Sequence, residues 1–484
     1  MALKKVYDFP YNKVQSQVIS AFRKNQRQGT VADVISVTGL PKYQVETVLP
    51  AVVNDCRGQM KVTDSGEILY HFPKGMARQS QASKLKQFVN VLAKVGAFLF
   101  KIWIVVMLVG YFLLFVLLIL VALVASIALS ASRRDDRDSG DGLLGMFAVS
   151  RLVEFVLLLW LYSGDPVVRK QKKTKPFYKA VFEFVFGSEP QPEAWGKMER
   201  KAVISWAQRN KGLVTLEELM AMTGKSREDA NSFVSRLLLE YEGEPQVSDR
   251  GTLYYAFPTL MKTSQESREY RLPEEDLIPF TRNPASTNRW IVFFNGFNAV
   301  LSVYFLSGSL GWLNPHEAIS IVYQVALSLG VSSGASYSGV HNLVFWILGI
   351  VPALYSLLFF GIPGLRRLNE RRENLLIKLR NFRRKVVARI LARPKQIELT
   401  VEPDSERNAS GHPGQERQQL QESILREVAD QRPVEVIGEA PHFYFAVPEL
   451  EAEQFDLDKI RAQVDPSKFS LGKVVFDSGS SEPV

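Results

Sequence analysis

The sequence predicts an α-helical membrane protein with α+β soluble parts, and the same soluble part occurs on both sides of a membrane-crossing block. Residues 18–73 align without a gap on residues 203–258 at a constant offset of 185, and 14 of the 56 aligned positions are identical. Unrelated segments do not keep one register over that length, so we infer a duplicated domain. Long uncharged runs separate this domain from the rest of the 484-residue chain.

The repeated part has the pattern of three helices followed by a two-stranded hairpin. One face of its third helix carries four apolar residues at helical spacing: Val45, Val48, Leu49 and Val52. This order of elements is typical of the winged helix, a variant of the helix-turn-helix. We therefore predict duplicated winged-helix domains, at residues 10–75 and 196–258, that flank transmembrane helices.

The C-terminal part, residues 396–476, resembles a degenerate third copy. Residues 415–431 are periodic as a helix, and residues 443–448 are similar to residues 254–258, where the hairpin of the second copy ends. The last residues, 477–484, are predicted to be a disordered tail.

Four stretches are long and apolar enough to cross a bilayer. Residues 102–130 carry no charge over 29 positions, which exceeds the roughly 20 that a spanning helix needs. The predicted transmembrane helices are residues 84–131, which include a cytoplasmic extension, 143–163, 290–313 and 343–363. Residues 318–334 are short for a span and are predicted to be re-entrant or interfacial.

Basic residues near the spans indicate how the chain is oriented. A basic run follows the second span, a basic helix is predicted at 364–395, and residues 307–342 contain no Lys or Arg. Because positively charged flanks stay in the cytoplasm, we predict that both copies and both termini lie on the cytoplasmic side. Residues 259–289 are predicted to be a linker.

The second span carries two ionisable residues, Arg151 and Glu154. They stand three residues apart, so they share a helix face and can pair. Charges at that depth are costly and either neutralise each other or mark a polar path. Asn295 and Asn298 in the third span are their candidate hydrogen-bond partners, which would hold helices together without any transport.

Residues 169–187 are basic and aromatic, as in segments that lie flat on lipid headgroups. An ordinary helix packed within the protein is the alternative. The candidate headgroup-binding residues are Arg169, Lys170, Lys172, Lys173, Lys175, Arg366, Arg367, Arg371 and Arg372.

The charges of the second copy disfavour nucleic acid as a partner. Residues 197–250 contain nine basic and nine acidic side chains, whereas a DNA-binding surface needs basic side chains for the phosphates. The third helices are therefore expected to bind protein, or each other, and a homo-oligomer stays open.

The sequence contains no catalytic or cofactor signature. Residues 223–226 resemble part of a phosphate-binding loop, but Leu219 stands where its first glycine is required. The five histidines are scattered, and Cys56 is the single cysteine. We expect no enzyme activity, no cofactor and no bound metal.

Three stretches, residues 62–73, 181–187 and 251–258, together with Thr263 and Ser264, carry a family resemblance. With them the chain resembles a family of uncharacterised integral membrane proteins of cyanobacteria and chloroplasts, some of which are labelled iron-sulphur cluster biosynthesis proteins. The resemblance implies a bacterial member in the plasma or thylakoid membrane. Cys56 alone cannot hold a cluster that four thiolates ligate.

The leading hypothesis is a non-enzymatic integral membrane protein whose cytoplasmic winged helices mediate protein-protein interaction in the assembly or biogenesis of membrane complexes. Two alternatives stay open. One is a small transporter or channel that uses the pair Arg151 and Glu154, and the other is a membrane-tethered DNA-binding regulator.

Overall fold

The computed structural model describes residues 8–73, 84–132, 176–187, 192–264, 269–309, 320, 323, 337–398, 414–439 and 442–479. They form a mostly helical chain with small antiparallel sheets. The chain divides into two compact units. Unit 1 comprises Met1–Gln81, Pro190–Leu277 and Glu373–Val484, and unit 2 comprises Ala82–Glu189 and Ile278–Arg372.

The helices are α1 (Tyr11–Lys24), α2 (Val31–Thr38), α3 (Lys42–Cys56), α4 (Lys84–Ser132), α5 (Phe177–Phe186), α6 (Pro192–Arg209), α7 (Leu216–Thr223), α8 (Arg227–Tyr241), α9 (Ala285–Ser309), α10 (Tyr337–Val344), α11 (Val351–Ala392), α12 (Gly414–Ala429) and α13 (Pro448–Gln463). The strands are β1 (Gln28–Gly29), β2 (Gln59–Thr63), β3 (Ile68–His71), β4 (Leu213–Val214), β5 (Glu244–Val247), β6 (Leu253–Ala256), β7 (Glu435–Glu439), β8 (His442–Ala446) and β9 (Val474–Asp477). A π-helix, Phe345–Ile350, joins α10 to α11.

Unit 1 contains three stretches in which a first helix precedes a further helix and an antiparallel hairpin: segment 1 (residues 11–73), segment 2 (192–258) and segment 3 (373–447). Segments 1 and 2 have an additional short helix, α2 or α7, which has no counterpart in the described part of segment 3. The helices α2 and α7 end at Thr38 and Thr223, and the helices α3 and α8 begin at Lys42 and Arg227. Both pairs keep the constant offset of the sequence alignment, so the helix boundaries of the two segments coincide.

The second helix of segments 1 and 2 is bounded by the same local signals. Thr30 and Asp33 form a capping box at the start of α2, in which each side chain accepts from the other residue's backbone N–H. Thr215 and Glu218 do the same for α7. Each helix then ends in a glycine with a left-handed backbone, which has no Cβ to clash there.

The three sheets place the last hairpin strand in the middle. Their strand orders are β1-β3-β2-β9, β4-β6-β5 and β7-β8, and in segment 3 Ile397 makes an isolated bridge to Phe445 of β8. The bridge occupies the place that β1 and β4 have in the other two sheets. Strand β9 pairs with β2, with Asp477 opposite Lys61. Asp477 therefore belongs to a strand, and the prediction that the disordered tail starts at residue 477 is wrong for this residue.

The first helices of the three segments bury apolar residues in one continuous core. Because each helix uses one face, the buried residues recur at helical spacing. They are Val18, Ile19 and Phe22 in α1, Val203, Ile204 and Ala207 in α6, and Val386, Val387 and Ile390 in the distal part of α11.

Three helices of the described residues are long and apolar enough to cross a membrane: Phe98–Val121, Ala285–Ser307 and Phe345–Ala392. They correspond to the first, third and fourth predicted spans. The second predicted span, residues 143–163, lies outside the described residues, and so does 318–334 except for residues 320 and 323. The boundary expected between the fourth span and the basic helix is absent, because α11 continues without a break from Val351 to Ala392.

Helix α5 is a packed helix of unit 2. The apolar stripe expected on lipid headgroups, Phe177, Val181, Phe184 and Val185, packs in one cluster with side chains of α4, α9 and α11. Val181 is fully buried. The interfacial interpretation of this segment is therefore wrong for residues 177–186, because their apolar stripe already has protein partners.

Candidate functional site at the junctions of the three segments

The turn between α2 and α3 lies against the first helix of segment 2. Gly39 has φ +67°, and a Cβ atom on it would lie 3.1 Å from the carbonyl oxygen of Lys197 in α6. The hydroxyl of Tyr241, the last residue of α8, donates to the Gly39 carbonyl at 3.3 Å. Burial raises the pKa of Tyr241, so the hydroxyl stays a neutral donor. Both the backbone angle and the close approach require glycine here.

The same junction recurs between segments 2 and 3. Gly224 has φ +71°, and a Cβ atom on it would collide with the backbone carbonyl of Arg380 in α11. Lys197 and Arg380 are separated along the chain by the same interval as Val214 and Ile397, which pair with the middle strand of their sheets. Each glycine turn thus meets the first helix of the following segment at an equivalent point.

An ion pair accompanies each glycine turn. Lys42 begins α3 and pairs with Glu242, which follows α8. Arg227 begins α8 and pairs with Asp430, which follows α12, at 2.9 Å. Both acidic residues have left-handed backbones, with φ 52° and 53°. One docking geometry therefore joins segment 1 to segment 2 and segment 2 to segment 3.

Further carboxylates close the start of α8. The backbone N–H of Arg227 donates to Glu427 Oε1 at 2.7 Å, where the partial positive charge of a helix N-terminus favours an anion. Arg432 donates to Glu453 at 2.9 and 2.6 Å and to Glu217 at 3.0 Å. Burial disfavours the charged guanidinium, but these two carboxylates outweigh it and raise the pKa of Arg432.

These residues line a groove of about 900 Å³ beside α8, the hairpin β5–β6 and segment 3. The uncharged residues that line the groove include Asn231, Ser232 and Leu253. Its charged lining contains five carboxylates and two guanidinium groups: Glu217, Glu228, Glu427, Asp430, Glu453, Arg227 and Arg432. The formal charge of the groove lining is therefore net negative.

Helix α13 forms hydrogen bonds with the hairpin of segment 2. Asp456 accepts hydrogen bonds from the hydroxyls of Ser248 and Thr252, and these bonds, with that of Ser248 the larger, lower the pKa of Asp456. Arg461 donates to both carboxylate oxygens of Glu218, at 2.9 and 2.8 Å. Sequence reasoning missed these contacts. No pattern in the sequence pairs Asp456 or Arg461 with segment 2, since these partners lie 204 to 243 residues away along the chain.

The positive charge of the basic helix is partly neutralised inside unit 1. Arg380 makes a bidentate pair with Glu275 at 2.8 and 2.9 Å, and Lys385 pairs with Glu274 at 3.1 Å. Arg384 donates to the two carbonyls that precede Glu274 in the chain. The stretch expected to be a linker therefore holds α11 through its acidic residues.

The headgroup candidates separate into three groups. Arg366 is wrong as a headgroup ligand, because it donates to the carbonyls of Glu183, Phe184 and Phe280 at 3.1, 3.1 and 2.9 Å and so caps the end of α5. Arg367, Arg371 and Arg372 are exposed. The five candidates between residues 169 and 175 lie outside the described residues.

The intramembrane candidates separate in the same way. Arg151 and Glu154 lie outside the described residues. Asn298 is fully buried and donates to the Leu108 carbonyl of α4 at 2.8 Å, and Asn295 accepts from the Ser356 hydroxyl of α11 at 3.2 Å. The two asparagines thus link α9 to two neighbouring helices. Among the described residues, the Oδ1 atom of Asn298 has no hydrogen-bond donor.

No metal-binding cluster of three or more His, Cys, Asp or Glu side chains occurs in the part of the chain that the structure describes. Cys56 is 4% exposed and belongs to the apolar core of segment 1. The arrangement at the junctions binds peptide groups and side chains of the same chain.

The comparison with known proteins is consistent with an uncharacterised chloroplast-type family. This chain is similar to an uncharacterised chloroplastic protein of Arabidopsis thaliana. The two are 26% identical over 398 residues, which cover 79% of this chain and 73% of the relative. No family model matches the chain, and no solved structure matches it.

Proposed function

We propose that this chain is a non-enzymatic, membrane-anchored adaptor whose winged-helix domains bind a protein partner on the cytoplasmic side. Segments 1 and 2 are proposed as two copies of one winged helix, and segment 3 as a degenerate third copy. The equal spacing of the helices in segments 1 and 2, the similar strand pairing in all three segments and the repeated glycine junctions support this interpretation. The three apolar helices and the similarity to a chloroplastic protein are compatible with a membrane location, which we propose to be the plasma or thylakoid membrane.

The observation that carries the proposal is the charge around α8, the helix that a winged helix uses to read DNA. Its N-terminal N–H group, which could bind a phosphate, is held by Glu427, and the groove beside it is lined by more carboxylates than guanidinium groups. On its exposed face Leu239 is 85% exposed. An exposed leucine on the same helix as a net negative groove favours a protein surface over a nucleic acid.

The proposed role is to hold that partner at the membrane while a membrane complex assembles. Photo-crosslinking in native membranes tests it. A photoreactive residue replaces Leu239 in the full-length chain, and the matched control carries the same residue at Asn54, the aligned position of segment 1. We expect a protein adduct from position 239 that the control does not give, and we expect Leu239→Glu to abolish co-purification of that protein.

A DNA-binding assay with the full-length protein in phosphatidylcholine nanodiscs decides the regulator alternative. We expect no shift of duplex DNA at either low or moderate salt. A salt-dependent affinity for DNA, together with no protein adduct at position 239, would overturn the adaptor and revive the regulator.

A transporter or channel is the second candidate, and the unpaired Oδ1 atom of Asn298 favours it. A buried acceptor that has no donor among the described residues requires explanation, and the expected pair Arg151 and Glu154 could supply one. This hypothesis predicts that the double variant Arg151→Gln, Glu154→Gln abolishes an ion or solute flux into proteoliposomes. An unchanged flux in that variant excludes it.

A further inference from the structure

The outer edge of the hairpin differs among the three segments. In segment 1 strand β9 covers it. The N–H of Ser478 donates to the Met60 carbonyl at 3.0 Å, and the N–H of Asp64 donates to the Lys473 carbonyl at 2.9 Å. Met60 and its second neighbours in β2 therefore direct their backbone groups away from β3 and towards a further strand.

In segment 2 a proline stands at the equivalent place. Pro245 aligns with Met60 at the offset of the duplication and faces Tyr255 in the hairpin, as Met60 faces Tyr70. Because proline has no N–H group, it removes a donor from the outer edge without breaking the hairpin. The edge of β5 is thus protected against pairing.

In segment 3 the equivalent residue is Val436, which faces Phe445. Both backbone groups of Phe445 are bonded to Ile397, at 3.0 and 2.8 Å. Phe445 and Val436 therefore form a non-hydrogen-bonded pair, and the N–H and C=O of Val436 point away from β8. In the described part of the chain, β7 pairs with β8 alone, so this edge is open.

The outer edge of β7 carries an apolar stretch between its two charged ends, Glu435 and Glu439. Val434 is 38% exposed, Val436 62% and Ile437 39%. Three branched apolar residues beside unpaired backbone groups have the properties of a strand that pairs with another chain.

We propose that β7 pairs antiparallel with β7 of a second copy of this chain, with the two Val436 residues opposite each other. In this register Glu435 of one copy faces Ile437 of the other, and Gly438 faces Val434 without a side chain in the way. A register shifted to Glu435 would set two carboxylates directly opposite each other, which destabilises a strand pair.

The membrane makes a second copy a better occupant than a free peptide. A pair of five-residue β7 strands buries less than the roughly 1,200 Å² of a stable interface. Two copies free in solution would therefore associate only weakly. The candidate spans confine the copies to one bilayer, which raises their effective concentration. The self-association does not depend on the proposed partner binding through α8, and each can fail without the other.

Cysteine crosslinking tests the pairing in the full-length protein. Cys56 is the single cysteine and is buried, so Cys56→Ser gives a clean background. Val436→Cys and the control Val247→Cys are compared in phosphatidylcholine vesicles under mild oxidation. The exposed fraction of Val247, 65%, is similar to the 62% of Val436, but Val247 lies on the protected edge of β5. We expect at least about tenfold more disulfide dimer from Val436→Cys than from the control.

A second pair of variants separates edge pairing from side-chain contact. Val436→Pro removes the outward N–H, and Pro245 shows that the hairpin accommodates proline at this place. Val436→Thr keeps the N–H. Single-molecule photobleaching of labelled protein in vesicles is expected to show dimers for the wild type and Val436→Thr, and monomers for Val436→Pro. Equal crosslinking of both cysteine variants, a monomeric wild type or a dimeric Val436→Pro would each overturn the proposal.

Discussion

The carboxylate of Asp33 accepts hydrogen bonds from both the N–H and the hydroxyl of Ser264, at 3.0 and 2.6 Å. Asp33 stands third in α2, and its equivalent in α7 is Glu218, which binds Arg461. In both segments the carboxylate that closes the capping box therefore also binds a residue that follows segment 2 in the chain. A local helix signal and a long-range contact use the same side chain.

Ser264→Ala is expected to loosen α2. The variant removes one hydrogen bond to a buried carboxylate, which costs about 1 to 2 kcal/mol. Hydrogen exchange of residues 31–38 in the full-length protein measures the effect, and we expect faster exchange there. Ser235→Ala is the control, because that exposed hydroxyl bonds only within its own helix. Equal exchange in the two variants would contradict the role of Ser264.

Gly224→Ala is expected to destabilise unit 1 more than Gly251→Ala. Both glycines have a positive φ, +71° and +90°, so both variants carry backbone strain of roughly 1 to 2 kcal/mol. Only at Gly224 does the new Cβ also collide with a backbone carbonyl, that of Arg380, whereas Gly251 faces open space. The midpoints of chemical denaturation compare the two. Equal midpoints would mean that the junction does not constrain the turn.

Asn298→Ala is expected to weaken the packing of α9 on α4. It removes the bond to the Leu108 carbonyl, and interhelical hydrogen bonds in membranes contribute about 1 kcal/mol. Thermal unfolding in detergent measures the change. Ser302→Ala is the matched control, because that buried hydroxyl bonds only to the preceding turn of its own helix. A control variant as destabilised as Asn298→Ala would refute the interhelical contribution.

Acid is expected to loosen the contact between α13 and the hairpin of segment 2. The hydrogen bond from Ser248, followed by that from Thr252, lowers the pKa of Asp456 below its ordinary value of 3.8. A lowered pKa in the folded state stabilises the protein fully above the ordinary value, and the stabilisation is lost as the pH falls through the folded value.

Asp456→Asn tests this pH dependence. The difference in unfolding midpoint between wild type and variant should be constant from neutral pH down to about pH 5 and shrink below about pH 4. A difference that does not change with pH would argue against Asp456 as the titrating group.

The sequence predicted best where local signals decide the structure. The helical spacing of Val45, Val48, Leu49 and Val52 predicted the third helix, and all four are buried in α3. Long uncharged, apolar runs in the sequence likewise predicted the positions of the three apolar helices. The prediction that helix α5 lies on lipid headgroups was wrong because an apolar stripe is equally compatible with lipid and with protein. Only the packed structure shows that its partners are other helices of unit 2.

Long-range pairing could not be predicted. Nothing near Val474 and Val475 specifies β2 as their neighbour, since β-pairing depends on which edge is open. The basic stretch 364–395 was evident in the sequence, but its partners Glu274 and Glu275 lie in a distant part of the chain. Charge complementarity would have been a signal for that contact, though not a unique one.

Strand β9 completes the sheet of segment 1 with residues that the ribosome adds only after nearly all the rest of the chain. At roughly 5 to 20 residues per second, the outer edge of β2 therefore waits on the order of tens of seconds for its last strand. During that interval Met60 and Val62 offer unpaired backbone groups to any other nascent chain. Segment 1 is thus synthesised long before the strand that completes its sheet, so its folding during synthesis passes through a state with an exposed edge.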